Sequence, residues 1–130
     1  MIEKKTPNEL KESLEQSFDD ILAIIKAMGN QNRLKILITL LSGEKSFQTL
    51  MSETNLQKTA LSNHLTLLFK KNLIEKPDYG KYKITQDGVE FIRAIQMVWH
   101  QSDTQRKKEL EIIQGRKLSE TFLESFFKRR

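Results

Sequence analysis

A chain of 130 residues suffices for one domain with an appendage. Its hydrophobic content of 38% is low for a compact globule, so long exposed helices and an interface are expected in place of one large core. The net charge of +5 suits a polyanionic partner without proving one, and the lack of cysteine excludes disulfides, thiolate metal sites and cysteine catalysis.

The opening MIEKKTPNELKESLEQ has no apolar core, so no secretory signal is expected, and the longest apolar run falls far short of a membrane span. The chain reads as soluble and cytoplasmic, with no membrane partner. Charge is uneven: net −3 over residues 1–25, +5 over 26–101 and +3 over 102–130. The middle stretch is therefore the candidate polyanion-binding unit.

Thr6, Pro7 and Glu9 supply an N-cap, an N1 proline and an N3 acid in order, which predicts a helix start. Leu10, Leu14, Phe18, Ile21, Ile25 and Met28 then recur at spacings of three and four, predicting a single helix with an apolar seam that ends before Gly29. Asn30-Gln31-Asn32 breaks and restarts the chain. The run Leu34 to Leu41 is almost wholly apolar, so a short buried helix is expected, stopped by Ser42-Gly43. Ser46 caps a third helix with Phe47, Leu50 and Met51 inward, and Thr54-Asn55 turns the chain into a fourth, from about Lys58 to Lys71. After Asn72 come LIEK, a turn at Pro77-Asp78-Tyr79-Gly80, and KYKI, which together predict a two-stranded hairpin. Thr85 caps the next helix, with Phe91, Ile92, Ile95, Val98 and Trp99 on its apolar side. The pattern weakens near Ser102-Asp103. A last helical stretch is expected, with Leu118, Phe122 and Phe126 spaced by fours.

This order predicts a mainly α fold with a small β-hairpin: a winged helix-turn-helix with additional N- and C-terminal helices. Residues 1–101 form the DNA-binding domain with its dimerisation helices, and residues 102–130 a helical tail.

The fourth helix carries the strongest functional signal. From Thr54 to Ile74 the chain has no Asp or Glu, though 30% of all residues are charged. A helix laid against a polyanion cannot carry carboxylates on its docking face; it needs short polar groups for base edges and cations for phosphates. At 100° per residue, Leu61, Leu65 and Leu68 share one face, and Thr59, Ser62, Asn63, Thr66 and Lys70 share the opposite one. Gln57 and Lys58 sit at the helix start, in reach of a backbone phosphate. Asn63 suits adenine, and threonine methyls suit thymine. His64 lies between the two faces and fits either a phosphate contact or a packing role. In the hairpin, alternation sends Lys81 and Lys83 to one side and Tyr82 to the other. Lys81 is taken as a DNA contact.

At these residues the chain resembles the ArsR-like winged-helix transcriptional regulators. The resemblance rests on AMGNQNRLKILITLLSG, with Asn32, Arg33 and Leu34 to Leu37, then Ser62-Asn63-His64-Leu65, Asn72-Leu73-Ile74 and Tyr82 to Gly88. It covers roughly residues 26–97 and implies a homodimeric regulator of double-stranded DNA, a repressor. Two departures stand out. Metal sensors of that family carry a cysteine pair in the helix before the recognition helix, where this chain reads FQTLMSE. Asn72 stands where the family usually has glycine, but Asn tolerates the positive φ such a turn needs.

Leu14, Phe18, Ile21, Ile25, Phe91, Ile95 and Trp99 are the candidate dimer interface. Aromatics at such a seam could also line a pocket for a small-molecule effector, though the sequence identifies none. No metal site is expected, since His64 and His100 would need unknown carboxylates, and no cofactor motif or enzyme constellation is visible. The alternative from another class is a winged-helix module that presents the same helix to a protein.

Overall fold

The computed structural model describes residues 4–114. The Thr6 hydroxyl accepts a hydrogen bond from the Glu9 amide at 3.3 Å, and Pro7 opens helix α1, Pro7–Gln16. The single helix expected up to Gly29 is instead broken at Ser17 (φ −122°, ψ 27°), and α2 runs Phe18–Met28. Serine competes for backbone hydrogen bonds, and Asp19 and Asp20 then stand in the first turn of a new helix, where the dipole favours carboxylates.

Asn30 caps α3, Gln31–Leu40, its side chain accepting from the Asn32 and Arg33 amides at 3.0 and 3.1 Å. The expectation of a wholly buried helix is corrected here. Ile36, Leu37 and Leu40 are buried, while Ile38 and the following Leu41 remain 53% and 45% exposed. A 3.6-residue period puts only the first three on one inner face, whatever the run's composition.

Strand β1, Lys45–Ser46, leads into α4, Phe47–Thr54, whose cap Ser46 accepts from the Thr49 amide at 3.1 Å. Asn55, at φ 58°, turns the chain toward α5, Lys58–Lys70. Strands β2, Ile74–Glu75, and β3, Lys81–Ile84, form the hairpin, with Gly80 at φ 72° in its turn. The expected two-stranded hairpin is in fact part of a three-stranded antiparallel sheet, ordered β1-β3-β2, with Lys45 opposite Tyr82 and Ile74 opposite Ile84. Two residues of β1 are too few to show a period, so the sequence alone carries no sign of that strand.

The core draws on α3, α4, α5 and the hairpin: Ile36, Leu37, Leu40, Leu50, Leu61, Leu68, Leu73 and Ile74 are fully buried. Each such side chain contributes about 1.5–3 kcal/mol by leaving water. Helix α5 is therefore held by its leucine face, and its opposite face is left to solvent.

Helix α6, Gln86–Gln101, is joined tightly to the hairpin. Buried Thr85 donates to the Asn72 carbonyl at 2.7 Å and accepts from the Gly88 amide at 3.0 Å. A Cβ at Gly88 would lie 2.5 Å from the Leu73 carbonyl oxygen and 2.7 Å from Ile84 Cγ1, so only glycine allows this approach. Helix α7 spans Asp103–Gln114. The chain divides into two compact units at Val89–Glu90; the first holds the helix-turn-helix and the wing. Leu118, Phe122 and Phe126 lie outside the described residues. Among the described residues no helix is long and apolar enough to cross a membrane.

Candidate nucleic-acid interface

The leucine face of α5 sits as the spacing predicts, with Leu61, Leu65 and Leu68 at 0%, 3% and 0% exposure. Thr59, Ser62, Asn63, Thr66 and Lys70 are all exposed on the other side. Gln57 occupies the N-cap position but makes no side-chain cap bond, and it and Lys58 are exposed at the helix start. Among the described residues, no hydrogen bond or ion pair engages the side chains of Gln57, Lys58, Thr59, Ser62, Asn63, Lys70 or Lys81. These groups remain free to meet a ligand. Thr66 differs, since its hydroxyl donates to the Ser62 carbonyl at 2.9 Å. That bond spends its proton and leaves the methyl and one acceptor site.

Two tight turns aim this helix. Asn55 ends α4 in the left-handed region, and Asn72 (φ 59°) ends α5 in the same way. Asn72 Nδ2 also donates to Asp87 Oδ2 at 3.2 Å, tying the end of α5 to the start of α6. The tolerance of Asn72 for positive φ, expected from its type, is what the turn uses.

His64 is half-buried, and its Nδ1 lies 3.3 Å from Arg33 Nη1. A guanidinium only donates, so Nδ1 accepts and the imidazole proton sits on Nε2. Burial, and secondarily the Arg33 charge, holds the His64 pKa below its usual value. Arg33 in turn donates from Nε to the Ala27 carbonyl at 2.7 Å and from Nη2 to the Lys26 carbonyl at 3.2 Å. One guanidinium thus links the C-terminal end of α2 to the middle of α5. In the sequence, Arg33 stands out only as part of the resemblance. Its partners lie six, seven and 31 residues away, beyond any local pattern.

In the wing, Lys81 and Lys83 are exposed, Tyr82 half-buried and Ile84 buried, following the expected alternation. Lys76 Nζ stands over two rings, 5.8 Å from the Phe69 centroid and 5.5 Å from that of Tyr82. Phe47 packs on Tyr82 with centroids 6.4 Å apart.

The expected dimer residues are distributed over three helices. Leu14 on α1 and Phe18, Ile21 and Ile25 on α2 are separated by the Ser17 break, so they do not form one continuous helical seam. Leu14, Phe18 and Ile25 are nevertheless largely exposed, and Ile21 is half-buried. On α6, Phe91, Ile95, Val98 and Trp99 are exposed, and Lys108 Nζ lies 5.8 Å from the Trp99 ring centroid. Among the described residues no group of three or more acids and histidines could hold a metal ion.

A family model described as winged helix-turn-helix matches residues 32–102. The chain is 38% identical over 71 residues to the transcriptional activator HlyU of Vibrio cholerae, a match covering 55% of this chain and 65% of that protein. The chain thus spans less than two-thirds of the length of that curated relative. The solved structure of reduced HlyU from Vibrio cholerae has a TM-score of 0.56 at 29% identity, covering 68% of this chain and 95% of the other. The solution structure of the homodimeric winged helix-turn-helix DNA-binding domain of Mb0332 from Mycobacterium bovis, described as a possible ArsR-family transcriptional regulator, has a TM-score of 0.59. It covers 75% of this chain and 89% of its own, and at 24% identity it speaks for the fold alone. The resemblance read from the sequence is thereby shown for the winged helix-turn-helix family, with ArsR-like regulators among the structural neighbours.

Proposed function

This chain belongs to the winged helix-turn-helix family, and from that premise we propose that it is a sequence-specific regulator of transcription that binds double-stranded DNA as a homodimer. The observation that carries this reading is the outer face of α5. It is exposed, has no carboxylate and, Thr66 apart, presents side chains with no hydrogen-bond or ion-pair partner among the described residues. Asn63 makes the bidentate base contact, with Thr59 and Ser62 beside it and the Thr66 methyl against thymine. Gln57, Lys58, Lys70 and Lys81 meet phosphates. Arg33 holds His64 with its donor proton on Nε2, the nitrogen that serves a phosphate oxygen.

Dimerisation is supported by the exposed apolar residues. Phe18 at 58% and Ile25 at 59% exposure on α2, and Ile95 at 52% and Val98 at 68% on α6, leave on each helix apolar side chains that a second copy of the chain would cover. A two-fold dimer would place two α5 helices in successive major grooves of a nearly palindromic site, about 34 Å apart. Repression is the output assigned, because a dimer seated over a promoter blocks its use without further contacts. The domain acts through residues 1–101, and the helical segment after 102 extends it.

Selection of bound sequences from a random duplex pool tests the reading. A palindromic site with half-sites one helical turn apart is expected. Enrichment of no sequence, or of a single unpaired half-site, overturns specific dimeric binding.

A further inference from the structure

A groove runs between the recognition helix and the wing, lined by Ser62, Leu65, Thr66, Phe69, Lys76 and Tyr82. It opens beside the outer face of α5, and Lys76 stands in its wall. Lysine is ordinarily the most mobile of surface cations, and its rotamer entropy is lost whenever it binds an anion. Here its ammonium lies within cation–π range of two rings at once, Phe69 from α5 and Tyr82 from β3. No ion pair neutralises it among the described residues. The result is a cation biased toward this position before any ligand arrives.

We infer that Lys76 is a preorganised phosphate contact, seated by Phe69 and Tyr82 where the DNA backbone passes between recognition helix and wing. This rests on the DNA-binding reading of α5 and adds a contact to it. The donor set favours a phosphate over a base edge. The Ser62 hydroxyl is unengaged and can donate, whereas the Thr66 proton is already given to the Ser62 carbonyl. The groove thus offers a point charge and one hydroxyl donor, which suit the two non-bridging oxygens of a phosphodiester. The flanking rings offer apolar contact to a deoxyribose. Phe69, half-exposed at the end of a helix whose other large apolar side chains face inward, gains a purpose from this arrangement.

The test is the salt dependence of duplex binding by the parent, Lys76→Gln, Lys76→Arg, Tyr82→Leu and Lys58→Ala, with thermal unfolding measured alongside. Lys76→Gln should weaken binding to all duplexes about 5–10-fold at low salt and flatten the log–log salt slope by about 0.9, with the unfolding midpoint lowered only slightly by loss of the two ring contacts. Lys76→Arg should restore the slope. Tyr82→Leu should lower affinity while keeping the slope, since the charge remains but is no longer held. If Lys76→Gln binds like the parent, or loses affinity with the parent's slope, Lys76 is only a strut between wing and helix and the inference fails. Lys58→Ala separates the two readings: if it flattens the slope and Lys76→Gln does not, only the Lys76 contact is lost. If the parent binds no duplex, both fall.

Discussion

Helices α2 and α5 lie in the same compact unit, and each buries one face and leaves another in solvent. The exposed residues of α5 are Thr, Ser, Asn and Lys, with Phe69 alone apolar near its end; those of α2 include Phe18 and Ile25, both more than half exposed. Water tolerates the first face without cost and the second only poorly. Helix α5 is therefore stable as it stands and gains from a polyanion through released counterions. The outer face of α2 would gain from an apolar partner, and in the proposed dimer a second copy of the chain supplies one through two-fold self-complementarity. The exposed side chains thus separate a proposed nucleic-acid surface from a proposed protein surface without reference to overall charge.

The sharpest way to break this contrast is to put charge on the α2 face. Phe18→Asp with Ile25→Asp touches residues already exposed in the single chain, so the fold should persist, as circular dichroism will show. Buried in a dimer seam, the two carboxylates would cost several kcal/mol. The variant should sediment as a monomer and lose about 100-fold or more in affinity for a palindromic site. A dimer with parental affinity would remove α2 from the interface.

On the α5 face, Asn63→Ala should cost about 1–3 kcal/mol on the selected site and relax preference at one base position per half-site. Binding to random duplex should hardly change. Equal losses on both would make Asn63 a phosphate contact. Lys58→Ala and Lys70→Ala should do the reverse, weakening every duplex alike and flattening the salt slope by about one unit each. Retained slopes in both would detach α5 from the phosphate backbone.

Much of this was legible in the sequence, for local reasons. Thr6, Ser46 and Thr85 cap helices within three residues of their own position. The Leu61-Leu65-Leu68 face follows from the helical period, and Asn72 takes the positive φ its side chain allows. What escaped depends on distant partners or on very short elements. Ser17 divides a seam whose spacing is blind to a break, and β1 exists only because Lys45 and Ser46 meet β3. Ile38 and Leu41 look like core because their neighbours are apolar, yet they turn outward. The Arg33–His64 contact and the seat of Lys76 join residues from separate elements, which no window along the chain displays.

The smallest expected effect concerns His64. Its folded pKa is lowered by burial and by Arg33, so the unfolded chain binds this proton more readily. Stability from this group is complete above the unfolded value of about 6.5 and declines as pH falls through it toward the folded value. Urea midpoints should therefore drop modestly from pH 7.5 to pH 5.5, and His64→Gln should remove part of that drop. An identical pH dependence in parent and variant would show that His64 does not carry it.

Whether the carboxylate-free face of α5 binds duplex DNA is decided by the salt dependence of duplex binding by the unaltered chain. Affinity should fall steeply between about 50 and 200 mM salt, with a log–log slope corresponding to several phosphates. Binding that is absent at low salt, or indifferent to salt, would contradict duplex binding by this face.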